Sequence, residues 1–135
     1  MAGNEAWGAS WFVARLPYGA PAPARARWLV STLLTRQDPP SRRVEDASLV
    51  VHELVVNGLV HGAPDDQDQI EVTGLVEDGR LVISVRDHGD QGTVSALPLT
   101  DDMDSGRGLA MVAALSSSWS VDRSSGTRVS ATLPL

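Results

Sequence analysis

A run of valine and leucine, broken at regular intervals by polar side chains, constrains this chain more than any other feature. Residues 50–62 read VVHELVVNGLVHG, and Glu53, Asn57 and His61 recur at every fourth position. In a strand, alternate residues share a face, so these three would lie with Val51, Val55 and Leu59 and separate nothing. In a helix each residue advances about 100°, which puts Asn57 at about 40° and His61 at about 80° from Glu53. The polar groups then make one narrow stripe down three turns. Leu54, Val55, Val56, Leu59 and Val60 occupy most of the remaining circumference. A helix that is apolar nearly all round is buried, so the expectation is a helix sequestered except along that line. An unpaired polar group inside a protein costs about 2 kcal/mol or more. The stripe therefore either satisfies backbone groups in the core or lines a pocket, and three aligned polar groups favour the pocket.

The surrounding sequence supplies the layers for such a helix. SWFVARLP (10–17) reads as a strand, and PAPARARWLVSTLLTR (21–36) as a helix with Trp28, Leu29 and Leu33 on one face. Ser41 is the expected N-cap of the striped helix, about 42–61, which Gly62-Ala63-Pro64 ends. IEVTGLV and RLVISVR flank Glu77-Asp78-Gly79, and Asp-Gly is a strong hairpin signal. Residues 87–106 show no periodicity, and a loop of that length is functional or disordered. RGLAMVAALSSS (107–118) reads as a helix, and the rest as two strands around Ser-Ser-Gly. Strands mixed with runs of helices point to an α+β two-layer sandwich. Its sheet is expected to be mixed, mostly antiparallel, and covered on one face by three helices. The 135 residues suit one domain, with residues 1–9 expected to be disordered.

Composition removes several function classes. The chain has no cysteine, hence no disulfide framework or thiolate metal site. It has no lysine, which excludes a Walker-type phosphate loop and Schiff-base chemistry. The net charge of −6 argues against a binder of nucleic-acid backbones. Arg15, Arg25, Arg27, Arg36, Arg42 and Arg43 against Glu5 and Asp38 leave residues 1–43 at +4, and the remainder at −10. The basic third is either a solvated face or a dock for an acidic partner. A zinc-protease motif needs a second histidine four residues after His52, where Val56 stands. His52 and His61 lie roughly 180° apart around a helix, too far to share a metal. No segment is long and apolar enough to cross a bilayer, and no basic-then-apolar leader opens the chain. A cytoplasmic location without membrane contact is expected.

Two further motifs give the stripe company. VISVRDHGD places Asp87 at a strand end, followed by His88 and Gly89, and SGRGLAMV places Gly106, Arg107, Gly108 and Leu109 at the expected start of a helix. Glycines there let backbone N–H groups approach an anion, aided by the helix dipole. The dinucleotide fingerprint does not fit, because Met111 occupies its third glycine position. Asp-x-Gly and Gly-x-Gly each have plain structural explanations as turns and caps.

In combination they are specific. Glu-x-x-x-Asn-x-x-x-His, a strand ending in Asp-x-Gly, a long loop and Gly-x-Gly-Leu at a helix follow in the order that resembles the GHKL ATPase superfamily with its Bergerat nucleotide fold. The resemblance spans about Trp11 to Leu133, and the closing GTRVSATLPL looks most like the anti-sigma-factor serine/threonine kinases. It implies ATP and Mg2+ as ligands. Asn57 would hold the metal, and Glu53 would act as base toward the attacking hydroxyl. His61 would position the phosphate end. Asp87 would recognise the adenine amino group, with Gly89 beside the base. Gly106 and Gly108 would cradle phosphates, Arg107 would offset their charge, and Leu109 would close the motif. Residues 90–105 would form the ATP lid. The implied partners are a sigma factor, a STAS-type anti-sigma antagonist, or both, with a homodimer through the first strand and helix. Departures exist: Gln91 stands where the family often has Gly or Pro, and Asp90, Asp101, Asp102 and Asp104 make the lid acidic. These favour an alternative, a docking module that holds nucleotide weakly and acts by binding alone.

Overall fold

The computed structural model describes residues 4–89 and 103–135. The elements run β1 (Glu5–Trp7), β2 (Trp11–Pro17), α1 (Ala22–Thr35), α2 (Ser41–His61), β3 (Gln69–Glu77), β4 (Arg80–Asp87), α3 (Met103–Leu115), β5 (Ser118–Asp122) and β6 (Thr127–Pro134). Six strands form one sheet in the order β1-β2-β3-β4-β6-β5. Every neighbouring pair is antiparallel, where a mixed sheet had been allowed for. This is the α+β two-layer sandwich, with three helices on one face of the sheet.

The core lies between that face and the helices. Alternate residues of the strands point into it: Phe12, Ala14 and Leu16, then Ile70 and Val72, then Leu81, Ile83 and Val85, then Val129, Ala131 and Leu133. From above, α1 contributes Leu29, Val30, Leu33 and Leu34, and α2 contributes Val50, Val51, Leu54 and Val55. The opposite face of the sheet is polar at one end, where Glu71 bridges Arg86 and Arg128 from neighbouring strands. At the other end it leaves Trp11 and Leu75 exposed. Among the described residues no helix is long and apolar enough to cross a membrane.

The β3–β4 hairpin follows its sequence signal. Asp78 and Gly79 have φ of 55° and 72°, the two positive values that a two-residue type I′ turn requires. Glu77 consequently pairs with Arg80, and the register that follows carries Asp87 to the end of β4 beside α2.

Several expectations are corrected. Residues 5–7 are not disordered; Trp7 packs on Phe12 with ring centroids 5.3 Å apart, and β1 adds to the sheet edge. Trp28 does not share the buried face of α1 but is half exposed, with Arg25 stacked on it at 4.3 Å. Ser41 is the first residue of α2, not its cap, and makes no capping bond. The third helix spans Met103–Leu115 instead of 107–118, and Ser118 opens β5. The stripe helix is not buried all round: Val56 is half-buried and Val60 is 65 % exposed. One side of α2 faces the sheet and α1, so only the residues on that side are fully enclosed. The lid expected over 90–105 lies outside the described residues up to 102, and its last three positions fall within α3.

Candidate functional site

Helix α2 is the spine of the site. Glu53, Asn57 and His61 all lie on it, half-buried, one turn apart. Glu53 and Gly62 are separated by nine residues, about 13.5 Å of helix at 1.5 Å per residue. Different elements meet α2 at these two ends.

At the Gly62 end sits Asp87. It is 5 % exposed, and its Oδ1 accepts a 2.6 Å hydrogen bond from the Gly89 N–H. The His88 N–H donates to the Ala63 carbonyl at 2.8 Å, tying the end of β4 to the residue after the helix. Burial pushes the Asp87 carboxyl above its ordinary 3.8, against the opposing pull of the Gly89 and Ala63 backbone and of His88. Gly62 ends α2 with φ −100° and ψ −157°, an extended conformation open to any residue. Its lack of a side chain matters for another reason. A Cβ there would lie 2.2 Å from the Asp87 carboxyl carbon, and one on Gly89 would lie 2.7 Å from the Gly62 Cα. The carboxylate therefore rests on bare backbone.

Tyr18, the residue after β2, joins this end without having been singled out in the sequence. Its hydroxyl lies 2.8 Å from the Gly58 carbonyl and 3.1 Å from that of Leu59, bracing the last turn of α2. Burial and then the Asp87 charge raise its pKa. The available signal was weak: it is the single tyrosine of the chain, placed directly after a strand-ending proline.

At the Glu53 end sits α3. A Cβ on Gly108 would lie 2.4 Å from Glu53 Oε1, so this glycine lets the helix approach the carboxylate. Because α3 begins at Met103, Gly106 is its fourth residue and Gly108 its sixth. Free N–H groups belong to the N-cap and the first three helical residues. The Gly108 N–H therefore lies within the helical ladder, which corrects its expected place at the helix start. Arg107 lies in α3 between them, and Leu109 is 3 % exposed and turned into the core.

Between the two ends lies Asn57. Its Oδ1 is buried and meets no hydrogen-bond donor among the described residues. An unsatisfied buried acceptor costs about 1–3 kcal/mol. A hard divalent cation prefers oxygen donors and keeps several waters. One carboxamide oxygen facing a phosphate-bearing ligand fits that preference, so the residues present fit Mg2+. Along α2 the structure thus sets a buried carboxyl at one end, an unpartnered carboxamide oxygen in the middle and a second carboxylate at the other. Gly108 lies against Glu53, and Gly62 and Gly89 lie against Asp87. His61 is the last residue of α2, between Asn57 and Gly62.

Residues 20–133 match the model of the histidine kinase-like ATPase domain. The chain belongs to that family. Among curated proteins, this histidine kinase-like ATPase domain is 32 % identical over 65 residues to the anti-sigma F factor of Geobacillus stearothermophilus, covering 47 % of the chain and 44 % of the relative. It is 31 % identical over 65 residues to the anti-sigma F factor of Shouchella clausii, with the same coverage of 47 % and 44 %. The chain thus matches less than half the length of these relatives. Among solved structures it resembles the RsbU and RsbW domains of a Mycobacterium tuberculosis protein. The TM-score there is 0.71 at 24 % identity, over 93 % of this chain and 32 % of that one. The histidine kinase domain of a blue-light-activated kinase from Erythrobacter litoralis has a TM-score of 0.53 at 24 % identity, over 71 % of this chain and 46 % of that one. These two likenesses concern the fold.

Proposed function

We propose that this ATPase-family domain is an anti-sigma-factor-type serine/threonine kinase. In this reading it binds Mg-ATP along α2, phosphorylates a hydroxyl on a STAS-type antagonist protein, and binds a sigma factor. The observation that carries it is the unpartnered, buried Asn57 Oδ1 one helical turn from Glu53, which Gly108 leaves free to face a ligand. The anti-sigma F factor relatives support the choice of partner class.

The roles follow from position. Asp87 accepts a hydrogen bond from the adenine amino group, which discriminates against guanine with its oxygen at that place. Gly62 and Gly89 let the backbone close around the Asp87 carboxyl and hold it in place. Asn57 would hold Mg2+, whose charge offsets that of the phosphates when bound. Gly106 lets the backbone at the start of α3 come close to phosphate, with Arg107 adjacent in sequence to offset its charge. His61 positions the ligand between the two ends. Glu53 takes the proton from the attacking serine or threonine hydroxyl, so that the oxygen bonds to the γ-phosphorus as the bond to ADP breaks. Phosphoryl transfer depends mainly on positioning and charge neutralisation, which this set performs without lysine. Part of the basic charge of the first third is used internally: Arg25 pairs with Glu5, and Arg36 donates to the Gly8 carbonyl at 3.0 Å.

Replacement of Glu53 by Ala tests the role of the base. It should lower γ-phosphate transfer about 10²–10⁴-fold while ATP affinity stays within about threefold, read by radiolabel transfer and calorimetry. Undiminished transfer rejects Glu53 as the base. A binding-only module is the second reading, favoured by the acids at 90, 101, 102 and 104 and by the enclosed Gly108 N–H. In that case the wild type binds its partner equally with and without ATP and transfers no phosphate.

A further inference from the structure

Glu53 is not alone at its end of the helix. Its neighbour His52 places Nε2 4.0 Å from Glu53 Oε2, and the other ring nitrogen of His52, Nδ1, is in hydrogen-bond contact with an Arg27 guanidinium nitrogen from α1. The three side chains line the wall of a groove between α1 and α2 of about 780 Å³, together with Ser48, Leu49 and Glu45. None is fully enclosed: His52 and Glu53 are 35 % and 23 % exposed at the side chain.

The chemistry of the contact sets the tautomer. A guanidinium in a protein has N–H donors and no acceptor. Nδ1 of His52 must therefore accept, and in the neutral ring the proton goes to Nε2, the nitrogen that faces Glu53. A second proton on Nδ1 would set N–H against N–H and place a cation beside a cation. Arg27 thus selects the tautomer in which the His52 Nε2–H is a donor aimed at the carboxylate. At 4.0 Å this is not yet a hydrogen bond, but catalytic hydrogen bonds are often long without substrate and shorten in the complex.

We propose that Arg27 and His52 are positioning residues for Glu53, with Arg27 fixing the His52 tautomer and the His52 Nε2–H orienting one carboxylate oxygen so that the other is presented to the attacking hydroxyl. This rests on the kinase reading above. It assigns His52 a part that its place in the apolar run did not suggest, and it assigns Arg27 an internal duty besides any contact with a partner.

The test combines a spectrum with kinetics. Nitrogen-15 NMR of the wild type should show His52 protonated at Nε2 and bare at Nδ1, and Arg27→Ala should allow the other tautomer to appear. An Nδ1-protonated ring in the wild type, or a ring indifferent to Arg27→Ala, overturns the proposal whether or not the protein transfers phosphate. In phosphotransfer assays, His52→Ala and Arg27→Ala should each lower kcat about tenfold with the ATP KM within about twofold, and the double variant should fall no further than the worse single one. His52→Gln, whose amide donates where Nε2–H does, should restore kcat to within about threefold of wild type. A KM effect on the protein substrate alone, additive losses, or no rescue by Gln overturns the positioning role while leaving Glu53 as base. Equal rates for the wild type and Glu53→Ala overturn the kinase reading and the positioning role with it.

Discussion

The two ends of α2 are built from different materials. Around Asp87 the contacts are made by backbone and by residues without side chains: the Gly89 N–H, the Ala63 carbonyl, and the bare faces of Gly62 and Gly89. Around Glu53 one carboxylate oxygen faces His52, which Arg27 contacts from α1, the other lies against Gly108 of α3, and the His52 and Glu53 side chains stay partly exposed. The backbone after β4 is tied to the segment after α2 by the His88–Ala63 hydrogen bond. A glutamate or an arginine can change rotamer at a cost of about 1 kcal/mol. In the proposed reading the Asp87 end is the more fixed, as suits a group that selects one base, and the Glu53 end has latitude, as suits a base that meets a hydroxyl arriving from another molecule.

Putting the same methyl group at each end exposes the contrast. Gly62→Ala drives a Cβ into the Asp87 carboxyl, a short buried group already bonded to Gly89. We expect a loss of about 2 kcal/mol in denaturant unfolding, in the range of overpacked cores, together with loss of measurable ATP binding. Next in size, Asp87→Asn should weaken ATP binding by tenfold or more, about 1.4 kcal/mol, if this carboxyl accepts from the adenine amino group as proposed. Stability should move in the opposite direction. Burial raises the Asp87 pKa, so the folded protein holds that proton to higher pH than the unfolded chain does. The ionised group then subtracts stability above its folded pKa, and the penalty fades as pH falls from that pKa toward 3.8. The Asn variant should melt higher than wild type at neutral pH, with the gap closing toward acid. A gap that widens toward acid contradicts the assignment.

Gly108→Ala should do least to stability. The added Cβ meets only the tip of Glu53, which can swing away, and Ala gains about 1 kcal/mol over Gly within a helix. Unfolding should change by less than about 1 kcal/mol, while phosphotransfer falls about tenfold because the base has been displaced. Equal stability losses for Gly62→Ala and Gly108→Ala would remove the distinction between the two ends.

Much of this was readable in the sequence where the cause is local. The four-residue spacing of Glu53, Asn57 and His61 survives as three turns of one helix, and Asp78-Gly79 makes its turn from its own backbone preferences. What was not readable depends on contacts between distant segments. The three residues of β1 have no periodicity to reveal them and are held by pairing with β2 and by Trp7 against Phe12 and Trp28. The first turn of α3, Met103 to Gly106, contains Asp, Ser and Gly, poor helix formers that read as loop. The Arg27–His52 contact joins residues 25 apart on different helices. The burial of α2 was overestimated because periodicity gives the direction of its apolar side chains and not how many layers surround them; Val60 points where nothing packs among the described residues.

The central claim is that the α2 row presents a carboxamide oxygen to a metal-bound triphosphate. Calorimetric titration of ATP into the wild type and Asn57→Ala, each with Mg2+ and with chelator, tests it most directly. The account predicts that Mg2+ tightens ATP binding to the wild type and that Asn57→Ala removes this gain while leaving the metal-independent part. Absence of heat with the wild type at millimolar Mg-ATP, or an undiminished Mg2+ gain in Asn57→Ala, would contradict it.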